Sequence, residues 1–284
     1  MAIYTPSGCS TLNELTDGQI RLGIQGEPFS GKTYSSLTFP NPVLASFDRK
    51  ASAHTHRTDV ILVPFFDSAF CDKLVKRSGL INPANRRDAF LKWLTTEGVK
   101  LGPEQTLIVD NNTGVESAFH QQYWLEPVYN KEMQIDSFAE WNLKKEYYED
   151  VAIALKGIPA SVVFICHETV DRDKKGELNG KIRPLLSGQA GDRLAGHYTD
   201  WFASTTIGKP IDEKQSEAVM KWAGIDKNTL QEWIASTPLD HKTIYLWQTC
   251  SDELRKCGTT TLDKCPKYIL ADYKSFSKYR RHKA

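Results

Sequence analysis

Eight residues, "GEPFSGKT" from Gly26 to Thr33, fill every specified position of the pattern G-x-x-x-x-G-K-[ST]. The chemistry of that pattern is the cradling of a nucleotide phosphate. Backbone N–H groups must point inward at an anion, and a side chain at Gly26 or Gly31 would obstruct the approach. Glu27, Pro28, Phe29 and Ser30 complete the loop and Tyr34 follows it, so Gly26 through Tyr34 are the expected nucleotide contacts. Lys32 brings a point charge to the β- and γ-phosphates, and Thr33 brings a hydroxyl ligand for Mg²⁺. A helix expected to begin near Gly31 adds its positive end. ATP with Mg²⁺ is the expected ligand pair, although the loop by itself does not select the base.

Three more strand-like runs end in groups suited to the same chemistry. "TLIVD" leads through four apolar or β-branched residues to Asp110, which would orient Mg²⁺ or its bound water. "PVLASF" ends at Asp48, and "ASVVFIC" ends at His167 and Glu168. A hydrolytic site needs one group to orient or deprotonate the attacking water and another to feel the γ-phosphate. Asp48 is the expected water-positioning residue, with Glu168 and Glu116 as rivals for the base, and His167 is the expected sensor. The alternative for each is a solvated strand terminus.

The elements that must position these groups alternate along the chain, as in an α/β layer structure. Strands are expected at "QIRLGIQ", "PVLASFD", "DVILVPF", "QTLIVD" and "ASVVFICHE", and helices at 85–97, 114–132 and 138–155. Near-continuous apolar runs suit central parallel strands covered on both faces, whose carboxyl ends are the usual ligand edge. Beyond them, Gly176 and Asn179-Gly180 signal a polar hairpin. Arg172, Lys174, Lys175, Lys181 and Arg183 give that hairpin cationic reach. It has no aromatic residue between Thr169 and Gly188, so any nucleic-acid contact there would be to phosphate rather than by stacking. Two short helices opened by Asp212 and Asp226 form an insertion over 209–241, with Trp222 and Trp233 as packing anchors. The expected organisation is a core over 1–208, that insertion, and a final core strand with a basic helix or tail over 242–284.

Composition bounds the rest. With 284 residues, 40% apolar and 25% charged, the chain reads as an ordinary globular protein of one or two domains. No leader and no run long enough to span a bilayer is visible, so a cytoplasmic location is expected. Six cysteines without a paired C-x-x-C favour reduced thiols, and the spacing of Cys250, Cys257 and Cys265 is poor for structural zinc. The net charge is only +1, yet from Lys264 onward seven basic residues face the single acid Asp272. That asymmetry fits either a nucleic-acid contact or a solvated helix end.

Taken in order, "GEPFSGKT", "PVLASFD", "TLIVDN", "SVVFICHE", the glycine-rich hairpin and "RPLLSGQAGDRLAGHYTDWFA" resemble the small RecA-like nucleotide-binding proteins of bacteriophages, which are associated with single-strand annealing and recombination. The resemblance spans about 19–207 and resumes at "TIYLWQT". It implies a RecA-like P-loop core with the sensor strand between the P-loop strand and the Asp110 strand. It also implies assembly into rings or filaments, single-stranded DNA as partner, and other recombination or single-strand-binding proteins as associates. "LRKCGTTTL" is similar to the stretch by which some RecA-family proteins reach a neighbour's nucleotide, which makes Arg255 or Lys256 a candidate finger in trans. Two departures stand out: "FDRKAS" offers Asp48 where such enzymes place a glutamate, and His167 stands where RecA has an amide. A packaging or remodelling motor on DNA and a non-hydrolysing nucleotide sensor are the alternative readings.

Overall fold

The computed structural model describes residues 19–75, 85–125, 127–172, 178–185, 195–238 and 241–280. Strands β1 (Arg21–Gly26), β2 (Pro42–Ser46) and β4 (Thr106–Asp110) are buried along their whole length. A strand covered on both faces gains from an apolar residue at every position, which is why β2 and β4 read as near-continuous apolar runs, whereas β1 sets Leu22 and Ile24 on one face and Arg21, Gly23 and Gln25 on the other. With β3 (Ile61–Pro64), β5 (Ser161–Arg172) and β7 (Asp200–Gly208) they form a parallel array in the order β7-β1-β5-β4-β2-β3. β5, which carries His167, thus lies between the strand leading into the P-loop and the strand ending in Asp110, the order that the resemblance implies. Antiparallel additions complete the sheet. β8 (Thr243–Gln248) joins β7 and β10 (Tyr268–Leu270) joins β8, while β6 (Leu178–Pro184) folds back on β5 and β9 (Gly258–Thr259) lies on β7.

Helices cover both faces. On one face α2 (Ser68–Val75), α3 (Asn85–Thr96), α4 (Asn112–Leu125) and α5 (Ser137–Lys156) close over Phe47, Phe65, Phe90, Phe119 and Phe164. Each such side chain stabilises the fold by roughly 1.5–3 kcal/mol on burial. On the other face α1 (Lys32–Ser36) and α8 (Tyr273–Tyr279) pack Leu37, Phe39 and Phe276 against Leu22, Ile165 and Trp247. The insertion supplies α6 (Glu213–Ala223) and α7 (Lys227–Ser236), whose Leu230 and Trp233 cover Ile244 and Leu246 of β8. Trp233 is buried, whereas Trp222 is half-exposed and stacks on Tyr268 at 4.4 Å, so both are packing residues in this structure. Asp136, Asp212, Asp226 and Asp272 cap α5 to α8 by accepting from backbone N–H groups of the first turn, and Gly224, at φ +65°, closes α6.

Three expectations need correction: the extent of the helix over 114–132, the single strand over 242–284, and the placing of His167 and Glu168 at a strand end, since pairing with β6 carries β5 on past them to Arg172. The helix expected over 114–132 stops at Leu125, because Pro127 disfavours helical geometry in the residue before it, and a short bridge between Tyr129 and Ile135 follows. The helix after the P-loop is only five residues long, with the Ser35 and Ser36 hydroxyls donating back to the Lys32 carbonyl. Its dipole is correspondingly small. The stretch over 242–284 holds three strands rather than one. Its basic helix is docked through the fully buried Phe276, with Lys278 paired to Glu232 at 3.3 Å. Among the described residues no helix is long and apolar enough to cross a membrane.

One close approach fixes how β1 meets β7. Gly23 lies beside Trp201 in the parallel ladder, and a Cβ on Gly23 would fall 2.0 Å from the indole ring. The indole Nε1–H donates to Gln25 Oε1 at 3.1 Å, so the ring is held from the next position of the same strand face. Gly23→Ala is expected to destabilise the protein by roughly 1–3 kcal/mol through overpacking, read as a lower denaturation midpoint with an unchanged slope.

Candidate nucleotide site

The loop between β1 and α1 folds around its own lysine. The Lys32 ammonium donates to the carbonyls of Gly26 at 2.9 Å and Glu27 at 2.6 Å, and Ser204 Oγ donates to the Ser30 carbonyl at 2.7 Å, tying the loop to β7. Gly31 sits at φ +81°, and a Cβ there would collide with the Tyr245 ring at 2.3 Å. The second glycine of the motif is thus required by both backbone conformation and space. Phe29, also at positive φ, and Tyr34 are exposed at the loop's rim. The Tyr34 ring lies 5.9 Å from the rings of Tyr245 and His241.

Thr33 Oγ1 donates to Asp110 Oδ2 at 2.7 Å, bringing the end of the loop to the end of β4 across the intervening β5. These two hard oxygen donors, side by side at the foot of a cavity of about 530 Å³, suit Mg²⁺. The same cavity is lined by Lys32, Asp48 and His167, and its size suits a nucleotide-sized ligand. The residues therefore fit ATP and Mg²⁺.

Burial dominates the electrostatics. It lowers Lys32 to about 8, opposed by the nearby Asp110 carboxylate. Asp110 is pushed up to about 6 by burial, which the Thr33 hydrogen bond opposes and the Asp48 charge reinforces. Both shifts describe a site whose charges are short of solvent before a ligand arrives.

His167 is fixed by a residue the sequence reading passed over. Asn111 Oδ1 accepts from the Gly114 backbone N–H at 2.9 Å, so its Nδ2 must face His167 Nε2 at 3.3 Å. An amide nitrogen only donates, hence Nε2 accepts and the neutral ring carries its proton on Nδ1. That buried Nδ1–H has no acceptor among the described residues. Burial, then Lys32 and Lys50, hold the ring's pKa below its ordinary value, which favours the neutral form at neutral pH. The only sequence signal for Asn111 was its place directly after Asp110.

The remaining candidates separate in space. Asp48 lines the cavity and accepts from the Lys50 backbone N–H at 2.9 Å. Glu116 instead faces Lys144 and His120, each at 3.5 Å, between α4 and α5. Glu168 is covered by Arg255, which donates to both carboxylate oxygens at 2.8 and 3.2 Å. Arg255 is therefore held within its own chain here, whereas Lys256 is exposed. Lys181 and Arg183 lie on β6, with Arg183 paired to Asp171 at 3.0 Å. Lys174 and Lys175, and the Arg172 side chain, lie outside the described residues.

A glycine-lysine loop at the carboxyl end of a central parallel strand, joined to an acid at the end of β4 with β5 between, defines a P-loop NTPase. The model of the AAA domain matches residues 19–202, well over half of the chain, and the protein belongs to that AAA-domain family of P-loop ATPases. No curated protein matches it. Among solved structures it is similar, at 11% identity and a TM-score of 0.39, to the assembled ATPase EscN in complex with its central stalk EscO from the type III secretion system of enteropathogenic E. coli. That match covers 66% of this chain and 42% of EscN, so the chain spans less than half of that protein's length.

The raised Asp110 pKa has a sign that can be measured. Because the folded state holds this proton more tightly than the unfolded chain, its contribution to stability is full below about pH 4 and is lost as pH rises through about 6. Asp110→Asn is expected to stabilise the nucleotide-free protein by roughly 2–3 kcal/mol at pH 7.5, with the gain vanishing toward pH 4. Denaturation midpoints of both proteins across that range provide the check.

Proposed function

We propose that the chain is a Mg²⁺-dependent ATPase of the bacteriophage RecA-like recombination type, in which the bound nucleotide governs the hold on single-stranded DNA. The observation that carries this reading is the course of β5. His167 lines the nucleotide cavity, and the same strand runs on to pair with β6, which bears Lys181 and Arg183. A displacement of His167 by the γ-phosphate thereby has a direct route to the cationic hairpin.

In this reading the loop N–H groups and Lys32 bind the β- and γ-phosphates. Thr33 and Asp110 hold Mg²⁺, which when bound neutralises charge on the phosphate oxygens. Asp48 orients the water that attacks the γ-phosphorus and takes its proton, and the bond to the ADP oxygen breaks. His167 donates its Nδ1–H to a γ-phosphate oxygen. Arg255 serves as a finger in a ring or filament only by exchanging Glu168 for a neighbour's phosphate, and Lys256 reaches out without that exchange. The bond from Lys50 N–H to the short Asp48 carboxylate favours a second reading, a sensor that binds ATP without efficient turnover.

Lys32→Ala and Thr33→Val are expected to lose Mg²⁺-dependent ATP binding without unfolding. Asp48→Asn should keep ATP affinity while turnover falls by roughly 10²-fold. Retained affinity with no turnover in the wild type selects the sensor, and unchanged binding in the first two variants removes the site.

Single-strand affinity against salt tests the hairpin. The logarithmic slope is about −0.7 per neutralised phosphate, so Lys174, Lys181 and Arg183 changed together to Ala should flatten it by about 2 with ATP bound. A wild-type slope in that variant, measured with ATP and with ADP, removes the hairpin from the interface.

A further inference from the structure

On the opposite face of β1 from its Leu22 and Ile24 side chains lies a second cavity of about 440 Å³. Gln25 and Trp201 line it together with Lys181 and Arg183 of β6 and Arg255 and Lys256 of the loop after β8. Positions far apart in sequence thus bring four cationic side chains to one cavity together with the acids Asp171, Asp252 and Glu253, with Arg183 paired to Asp171 and Arg255 to Glu168. The two segments that carry them are joined by the Ile182 N–H, which donates to the Leu254 carbonyl at 2.7 Å.

Gln25 is 1% exposed. Its orientation is decided by chemistry: Trp201 Nε1–H can only donate, so the Gln25 oxygen accepts from it at 3.1 Å and the amide NH₂ is turned away. That Nε2 has no acceptor among the described residues. A buried amide left without a partner is destabilising, and here it belongs to a side chain that lines a cavity. Its two N–H groups call for an oxygen acceptor, and a cation is disfavoured next to them. None of the cavity's acids, Asp171, Asp252 and Glu253, bonds to that amide. Asp171 is engaged by Arg183 at 3.0 Å, and Asp252 accepts from Gln248 Nε2 at 2.9 Å and from the Leu254 and Arg255 backbone N–H groups.

We propose that this cavity is a second oxyanion site, in which Gln25 Nε2 and the surrounding cations bind a phosphate group distinct from any held by the P-loop. Two sources share that chemistry: free inorganic phosphate, and the backbone phosphate of a single strand passing the β5–β6 hairpin. Gln25 directly precedes Gly26, the first residue of the P-loop, so occupancy here is transmitted to the nucleotide site through one peptide bond. The inference rests on the cavity and not on the single-strand reading, since inorganic phosphate alone tests it.

Titration calorimetry with inorganic phosphate, and anisotropy with a labelled oligothymidylate, would be run on the full chain and on three variants. Gln25→Glu keeps the volume and the Trp201 acceptor while replacing both donors by a carboxylate, and should weaken phosphate binding by about tenfold or more. Lys256→Glu, at an exposed position that leaves the fold intact, should weaken it by about fivefold. Lys32→Ala removes the P-loop cation and should leave this binding in place. If the oligonucleotide shows the same dependence on Gln25 and Lys256, the source is a backbone phosphate; if only inorganic phosphate does, the source is the free ion. Phosphate binding that is lost in Lys32→Ala but kept in the other two variants overturns the proposal. So does binding of neither probe with any dependence on Gln25 or Lys256, in which case the cavity holds only water. In that event oligonucleotide binding at wild-type strength in both variants would leave the proposed function standing.

Discussion

The hydrogen bond from Thr33 to Asp110 is the contact around which the molecule is organised. It joins the loop after β1 to the end of β4, spanning the end of the β5 segment that lies between them. β1 itself lies between β5 and β7 with both its faces covered. The carboxylate at the end of β4 is consequently desolvated, and the site is assembled at the expense of local stability. Backbone contacts brace it from the β2 side, where the Phe47 N–H donates to the Asp110 carbonyl at 2.9 Å.

Period-two alternation along β5 gives two consecutive residues different partners. His167 meets Asn111 and the nucleotide cavity, whereas Glu168 meets Arg255 behind it. A shift of this part of β5 moves both contacts. The Glu168–Arg255 pair is nearly covered from solvent on the glutamate side, so salt screens it little. It latches the loop after β8 to the same strand that carries His167 into the cavity.

Much of this was legible in the sequence because the determinants are local. The P-loop is a contiguous pattern, the central strands are unbroken apolar runs, and aspartates mark the starts of α6 and α7. The antiparallel strands β9 and β10 were not legible, since Gly258–Thr259 and Tyr268–Leu270 are too short to carry a period and are fixed by pairing with β7 and β8. Of the site, Lys32, Thr33, Asp48, Asp110 and His167 were placed on strand-end logic and converge on one cavity. Asn111 and the Gln25–Trp201 pair escaped, because their significance is a hydrogen-bond direction between residues remote in sequence. Glu116 and Glu168 were plausible as bases on type alone, and only packing shows that each already has a cationic partner.

The way α6 and α7 leave and rejoin the sheet carries an implication of a different kind. β7 and β8 are antiparallel neighbours paired as far as Gly208 with Thr243, and the Lys209 N–H donates to the Lys242 carbonyl at 2.8 Å. The helical pair therefore departs and returns at the width of an ordinary hairpin. A tight turn would satisfy the same ladder, and loop length is a weak entropic constraint. The helical pair is thus replaceable by such a turn without disturbing strand register. Because the His241 ring lies beside Tyr34, which lines the cavity at the P-loop, replacing the helical pair would also alter that rim.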